Sequence, residues 1–401
     1  AMQRTNILEL APNKQQRNIL KECMFLSSCV YNSTNYLIRQ QFFNKEPISN
    51  FYQIWQKMQN TEDYQFLGRS YALPRIKLYA ETNSARFKLI KSGTQKRVGL
   101  PKYLKNRKTN TTIPSYLVID NDRYSIKKNH IIIPLSRQMR NKYGIKHFNI
   151  KYNGLPRWEG KQQRGQIRIK NGKFYLHQSV EVQETKLVNS NIKAGLDLGI
   201  KRLLSIYINN GESRTIGSKR FYKQWIYYTD LISQEQEKLA KINKKTSKNL
   251  QKLYNLRKVY QENLYNNLVA KMFRILKRNN VSSLVMGDIT HICDSGNKGT
   301  KVNQMINNYW SFDMLSHKIQ NKAEELCIEL LKETEEYTSR TCPICGDNSK
   351  SNCKDRIFQC SFCDYVNHRD IVGARNILGK SMYGSSSSIH WAEISPLEVS
   401  I

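Results

Sequence analysis

Two Cys-x-x-Cys pairs, Cys342/Cys345 and Cys360/Cys363, stand with fourteen residues between them. That spacing predicts a zinc ribbon, in which each knuckle gives two thiolates to one tetrahedral, structural Zn2+ ion. Cys353 falls inside the ribbon loop and lacks a knuckle partner. Acids flank the ribbon: Glu335 and Glu336 just before it, Asp370 just after it. A further acid, Asp197, stands far upstream in GLDLG. A lone strand Asp is ordinarily a cap or a turn residue, but between apolar flanks Asp197 needs a charge-balancing partner. Carboxylates are the ligands Mg2+ prefers. Two such ions roughly 4 Å apart, bridged by carboxylates, neutralise a phosphodiester and activate a water. A zinc hairpin set between acids therefore reads as part of a nuclease site rather than as a free-standing finger.

For these acids to meet, strand ends and a helix start must converge. Residues 193–208 predict an apolar strand carrying Asp197 and a second strand after it, and Asn210-Gly211 supplies the turn into a third. Helices are predicted over 222–243 and 247–278, a fully buried strand over 281–289, a helix over 312–327, and a strand, IELLKET, leading into the ribbon. Asp370 opens another helix, with Ile371, Ala374 and Leu378 on one face. This order is that of an RNase H-like α/β domain, whose parallel strands need helical crossovers. Neighbouring strands lie about 4.8 Å apart, so acids at their ends and one on the final helix can share a metal pair.

Upstream, RTNILEL predicts one strand, and Pro12 opens a long helix with Ile19, Leu20, Cys23, Val30 and Leu37 recurring at helical spacing. Helical patterns follow over 51–58 and 71–89, and these apolar stripes read as the core of a bundle. Over 111–182 the pattern changes to short alternating runs, with a type I′ hairpin signal at Asn171-Gly172. These strands suggest a small β-barrel or a curled sheet, and the first strand can join them, which makes the helical bundle an insertion in the barrel. The expected fold class is α+β multidomain: an N-terminal β-barrel with an inserted helical bundle, then an RNase H-like domain with an inserted four-cysteine zinc ribbon. The expected boundaries are 1–10 and 111–190 for the barrel and 11–110 for the bundle. The nuclease domain takes 191–340 and 367–380, the ribbon 341–366, and 381–401 is expected to be a disordered tail.

Charge names the partner. The chain holds 65 Lys and Arg against 32 Asp and Glu, a net +33 over 401 residues, which fits a protein wrapped around polyphosphate better than a metabolic enzyme. An anionic membrane is the rival partner, but no lipidation motif or apolar run of transmembrane length supports it. Lys91, Lys96, Arg97, Lys102, Lys105, Arg107 and Lys108, with Tyr103 interleaved and no acid among them, form a candidate phosphate-contact stretch. The N-terminal residues lack a signal peptide's apolar region, which predicts an intracellular, reducing location. Cys23, Cys29, Cys293 and Cys327 then read as packing thiols.

GLDLGIKRLLSIY, LVMGDIT, YTSRTCPICG, FQCSFCDYVNHRD and ARNIL, with VGLPKYLK ahead of the barrel, resemble the TnpB family of transposon-encoded, RNA-guided DNA nucleases. They also resemble its eukaryotic and viral Fanzor relatives and the smallest type V CRISPR effectors, over most of residues 95–380. The resemblance implies a wedge barrel holding a recognition bundle, a RuvC-like nuclease domain, and a ribbon that binds target nucleic acid. It implies a guide RNA and a double-stranded DNA target as partners, one protein per guide with a dimer as the alternative, and catalytic Mg2+ beside the structural Zn2+. The family usually places a catalytic Glu at the end of the fourth strand, where this chain has Gly287 followed by Asp288. Relatives with a similar loss carry an alternative Glu just before a TSxTC segment, the position of Glu335. The implied catalytic and Mg2+-binding residues are Asp197, Glu335 and Asp370, with Glu336 and Asp288 as alternatives for the third acid. The implied function is RNA-guided DNA cleavage beside a short target-adjacent motif; the alternative is a nuclease-dead, RNA-guided repressor. A protein-only junction nuclease would not need the N-terminal half, and a zinc-ribbon transcription factor would leave Asp197 and Asp370 unexplained.

Overall fold

The computed structural model describes residues 2–93, 99–183, 186–199, 202–217, 219–288, 312–349, 353–354, 356–384 and 397–399. The chain forms two compact units, residues 1–184 and 185–401.

The first unit opens with β1 (Met2–Leu10), followed by helices α1 (Lys14–Phe43), α2 (Phe51–Met58), α3 (Glu62–Leu67) and α4 (Arg69–Ser92). Asn13 and Asn50 start α1 and α2 with reciprocal capping boxes to Gln16 and Gln53, which satisfy backbone donors that the helix itself leaves open. Strands β2 (Leu117–Ile119), β3 (Ser125–Ile126) and β4 (His130–Ile133), helix α5 (Arg137–Tyr143), and strands β5 (Phe148–Asn153), β6 (Lys161–Lys170) and β7 (Lys173–Val182) complete it. Asn171 and Gly172 both take positive φ, 52° and 77°, as the predicted β6–β7 turn requires. The sheet order is β2-β6-β7-β1-β5-β4-β3, so β1 does join the later strands and α1–α4 are an insertion.

Two expectations change here. Among the described residues the end strands β2 and β3 are not paired with each other, so the strands form the curled-sheet alternative rather than a closed barrel. The bundle is also not a separate body: Leu20, Met24 and Tyr71 from helices share one core with Leu8, Ile150 and Leu176 from strands. Helices α3 and α5 were not expected; at six and seven residues each spans under two turns, too few for an apolar pattern to repeat.

The second unit runs β8 (Lys193–Leu198), β9 (Leu204–Ile208), β10 (Ser213–Ile216), α6 (Lys219–Lys241), α7 (Lys248–Arg278), β11 (Ser283–Asp288), α8 (Phe312–Glu325) and β12 (Glu329–Thr334). The ribbon strands β13 (Cys353–Lys354), β14 (Ile357–Gln359) and β15 (Val366–His368) follow, then α9 (Arg369–Tyr383) and β16 (Leu397–Val399). The sheet order is β12-β11-β8-β9-β10-β16, with β8, β11 and β12 parallel to one another. One face of this sheet, through Leu196, Leu284 and Met286, packs on Leu268 and Met272 of α7 and Leu315 of α8. The opposite face, through Tyr207 and Val285, packs on Ile371, Ala374, Ile377 and Leu378 of α9. The tail expected to be disordered instead begins inside α9 and returns a strand, β16, parallel to β10; residues 385–396, including the serine run, lie outside the described set. Among the described residues no helix is long and apolar enough to cross a membrane.

Candidate acidic centre and zinc ribbon

The four knuckle cysteines converge. Their sulfurs all lie within 4.8 Å of one another, with Cys342–Cys363 at 3.6 Å and Cys345–Cys360 at 3.5 Å. A tetrahedral ion with Zn–S bonds of about 2.3 Å separates its sulfurs by roughly 3.8 Å, so this donor set fits zinc. Each knuckle is shaped by its own backbone: Cys342 N–H donates to the Asp347 carbonyl at 2.7 Å, and Cys360 N–H to the Tyr365 carbonyl at 2.8 Å. Gly346 and Asp364 supply the positive φ, 78° and 58°, that these turns need. Phe358 and Val372 seal the inner side of the cluster. Cys353 lies on β13, but its side chain is outside the described set, as is Cys293; Cys23 is buried, and Cys29 and Cys327 are partly buried.

The ribbon hairpin also closes toward the acids. Arg369 N–H donates to the Arg356 carbonyl at 2.9 Å, at the open end of β14–β15. This places the Arg356 guanidinium on Asp370, with Nη1 at 3.2 Å from Oδ1 and 3.0 Å from Oδ2. Asp370 is itself only 9% exposed, at the first turn of α9, where the helix dipole favours a negative charge.

Asp197 reaches the same place from β8. Its carboxylate lies against Gly373 of α9, and Gly195 of β8 lets the helix lie flush on the strand, since a Cβ there would meet the Ala374 carbonyl at 2.0 Å. Glu335 enters from the turn just after β12, and its Oε1 is buried with no hydrogen-bond partner among the described residues. Two side chains of α9 hold that turn. Asn376, 1% exposed, donates from Nδ2 to the carbonyls of Thr338 and Thr341, both at 2.7 Å. Lys380 donates to the Glu336 carbonyl at 3.0 Å. Thr338 in turn donates to the Glu335 carbonyl at 2.9 Å. The TSRTC and ARNIL segments thus touch across the fold, which is why Asp370 and Glu335 share one frame.

Electrostatics describe a centre short of positive charge. Burial, then the charges of Glu335 and Asp370, push the Asp197 carboxyl well above its ordinary range, against the pull of Arg369 and Arg356. Burial, then Asp288, pushes Glu335 up to about 7. A carboxyl whose proton affinity is raised by two acid neighbours, beside a second acid with an orphaned oxygen, fits a bound cation. The acids are less tightly gathered than the sulfurs, because among the described residues only the cysteines bring three or more ligand atoms within 4.8 Å. Glu336 and Asp288 are both exposed.

Of the basic stretch, Lys96 and Arg97 lie outside the described residues, and of Lys91 only the backbone, near the end of α4, is described. Lys102, Lys105, Arg107 and Lys108 are exposed on a strap that is pinned to α1. Asn32 exchanges hydrogen bonds with the Leu104 backbone, and buried Asn35 donates to the Pro101 carbonyl at 3.1 Å. Tyr103 lies under the Arg39 guanidinium at 5.0 Å. Elsewhere in the first unit a polar cavity of about 450 Å³ is lined by Gln3, Lys77, Asn121, Gln163, Gln166 and Ser179, among others. Neither the asparagine pins nor this cavity was legible from the sequence, since both join positions far apart in the chain.

Residues 177–292 match a family profile described as a probable transposase, OrfB_IS605, and residues 312–377 match the Cas12f1-like TNB domain. TnpB-like protein ORF457 of Acidianus two-tailed virus is 26% identical over 94% of this chain and 87% of its own length. The CRISPR-associated endodeoxyribonuclease Cas12f1 of Sulfoacidibacillus thermotolerans is 35% identical over 24% of this chain and 21% of its own. The cryo-EM structure of a Cas12f1–sgRNA–target DNA complex shares the fold, with a TM-score of 0.58 and 17% identity over 90% of this chain and 82% of that one. Two successive profile matches and a relative spanning nearly the whole chain bear out the resemblance read from the sequence: the chain is similar to TnpB-like proteins and to small type V effectors.

Proposed function

We propose that the chain is an RNA-guided DNA endonuclease whose cutting centre is Asp197, Glu335 and Asp370. The observation that supports this reading is that Glu335 from the turn after β12 and Asp370 from α9 both act on the Asp197 carboxyl of β8, while Oε1 of Glu335 is buried with no hydrogen-bond partner among the described residues. Divalent cations, Mg2+ by the all-carboxylate donor set and two by the needs of an in-line displacement, would polarise the phosphodiester and lower the pKa of the attacking water. The chain's own contribution is a fixed carboxylate frame on a rigid sheet, with Arg356 at its rim to meet phosphate charge. The zinc ribbon holds Arg356 and the start of α9 in place.

The first unit supplies the binding surface in this reading. The pinned basic strap contacts nucleic-acid backbone, while pairing with a guide RNA reads the target sequence. The polar cavity presents amide side chains of the kind that pair with base edges, which supports a role in reading a short motif beside the target.

Purification with its RNA, followed by Mg2+-dependent cleavage of a guide-matched DNA duplex, tests the proposal. Asp197→Ala, Glu335→Gln and Asp370→Ala should each abolish cutting and keep RNA and target binding; Glu336→Ala and Asp288→Ala should retain it. Wild-type cutting in Glu335→Gln, with loss in Glu336→Gln or Asp288→Asn, would move the third ligand. Guided binding without any wild-type cleavage would instead establish the repressor reading, which the strand-end Gly287 favours.

A further inference from the structure

We propose that Gly287 is a positioning residue: the space left by its missing side chain is the seat of the Glu335 carboxylate. The sheet register sets this up. β11 pairs with β8 so that Met286 stands opposite Leu196, which puts Gly287 level with Asp197. On its other side Gly287 stands opposite Glu333 of β12, two residues before Glu335. A glycine within a buried strand weakens it and calls for a reason. Backbone conformation is not that reason, because Gly287 is absent from the positive-φ glycines.

Space is the reason. A Cβ built on Gly287 would stand 2.1 Å from Glu335 Oε1, 2.6 Å from its Cγ and 2.7 Å from its Cδ. The three nearest atoms all belong to one side chain. Gly195 on the same face of the sheet differs: there the nearest obstacle is the Ala374 backbone carbonyl, at 2.0 Å. A Cβ at position 195 would therefore strain the fold whatever Glu335 does, whereas one at 287 conflicts with Glu335. The strand end and the following turn are thus one coupled unit, in which a side chain at 287 and an inward Glu335 exclude each other.

The coupling rests on geometry alone; its consequence for cutting rests on the function proposed above. A double-mutant cycle on the full chain separates the two. Gly287→Ala should lower the thermal midpoint in the wild-type background and cost nothing in a Glu335→Ala background. Gly195→Ala should lower it equally in both. Mn2+ titrated as a probe into metal-free protein should bind Gly287→Ala about tenfold or more weakly than wild type, the usual cost of disturbing a ligand's support. An equal loss of midpoint from Gly287→Ala in both backgrounds, or an unchanged Mn2+ affinity, would overturn the proposal. Coupling in the cycle together with a wild type that never cuts DNA would leave the seat standing and remove the nuclease reading.

Discussion

Four sulfurs and three carboxylates lie at either end of one ribbon hairpin, yet the chain travels very different distances to assemble them. The cysteines fall within 21 residues, Cys342 to Cys363, and each pair is shaped by a turn made of its own neighbours. The acids come from Asp197, Glu335 and Asp370, on three elements that only sheet register and α9 bring together. The acids also work against their own assembly, since the charges of Glu335 and Asp370 raise the proton affinity of Asp197. The first cluster is a local design that metal closes. The second is a non-local one that the fold must force, with Asn376 and Lys380 tying down the turn after Glu335 and Gly195 letting α9 lie on β8.

The largest effect should come from breaking the local cluster. Cys360→Ser removes a zinc ligand, and structural zinc in small modules is worth on the order of 10 kcal/mol. Metal analysis should fall from about one zinc per chain, with loss of cleavage because Arg356 and the start of α9 lose their anchor; full zinc retention would reject the assignment. Next, Asn376→Ala takes the donor from two buried carbonyls, at a cost of roughly 2 to 4 kcal/mol in denaturant unfolding. It should weaken cleavage strongly while zinc content stays at the wild-type level, which separates the two clusters; a drop in zinc would show that they are not separable.

A smaller effect follows from Glu335, whose carboxyl is raised to about 7 from an ordinary value of 4.5. The folded chain then holds a proton that the unfolded chain has released. Stability without metal should therefore be fully present below about pH 4.5 and decline as pH rises toward 7, by about 3 kcal/mol at most. Glu335→Gln should flatten that slope; an unchanged slope would place the titrating group elsewhere. The smallest effect on stability, with a clear effect on binding, should come from the strap. Neutralising Lys102, Lys105, Arg107 and Lys108 should shallow the salt dependence of nucleic-acid binding by about 0.7 to 0.9 in log–log slope per lost phosphate contact. An unchanged slope would make the strap ordinary solvated surface.

The contrast also explains what could be read from the residues alone. Cys-x-x-Cys spacing carries its own geometry, so the ribbon was legible without a fold. Asp197 stood out as an acid among apolar neighbours, and Asp370 as the acid opening an amphipathic helix. Glu335 was reached only through family resemblance, because nothing local separates it from Glu336. Asn376 and Gly287 act on partners 38 and 48 positions away, Thr338 and Glu335, and no periodicity reports such a pairing. In the first unit, strand and helix patterns were legible, but the shared core was not. Buried Asn32 and Asn35 interrupt the apolar stripe of α1 for a partner, the strap, that lies more than sixty residues downstream.

The place of α9 in the chain has a consequence for time. Asp197 and its strand are made 173 residues before Asp370. At a synthesis rate of about 5 to 20 residues per second, the interval is on the order of 10 to 30 s. During that interval the nascent protein carries its whole first unit and its basic strap but lacks the last carboxylate and the helix that seats the other two. In the function proposed above, a growing chain on its ribosome would therefore engage nucleic acid well before it has the means to cut it.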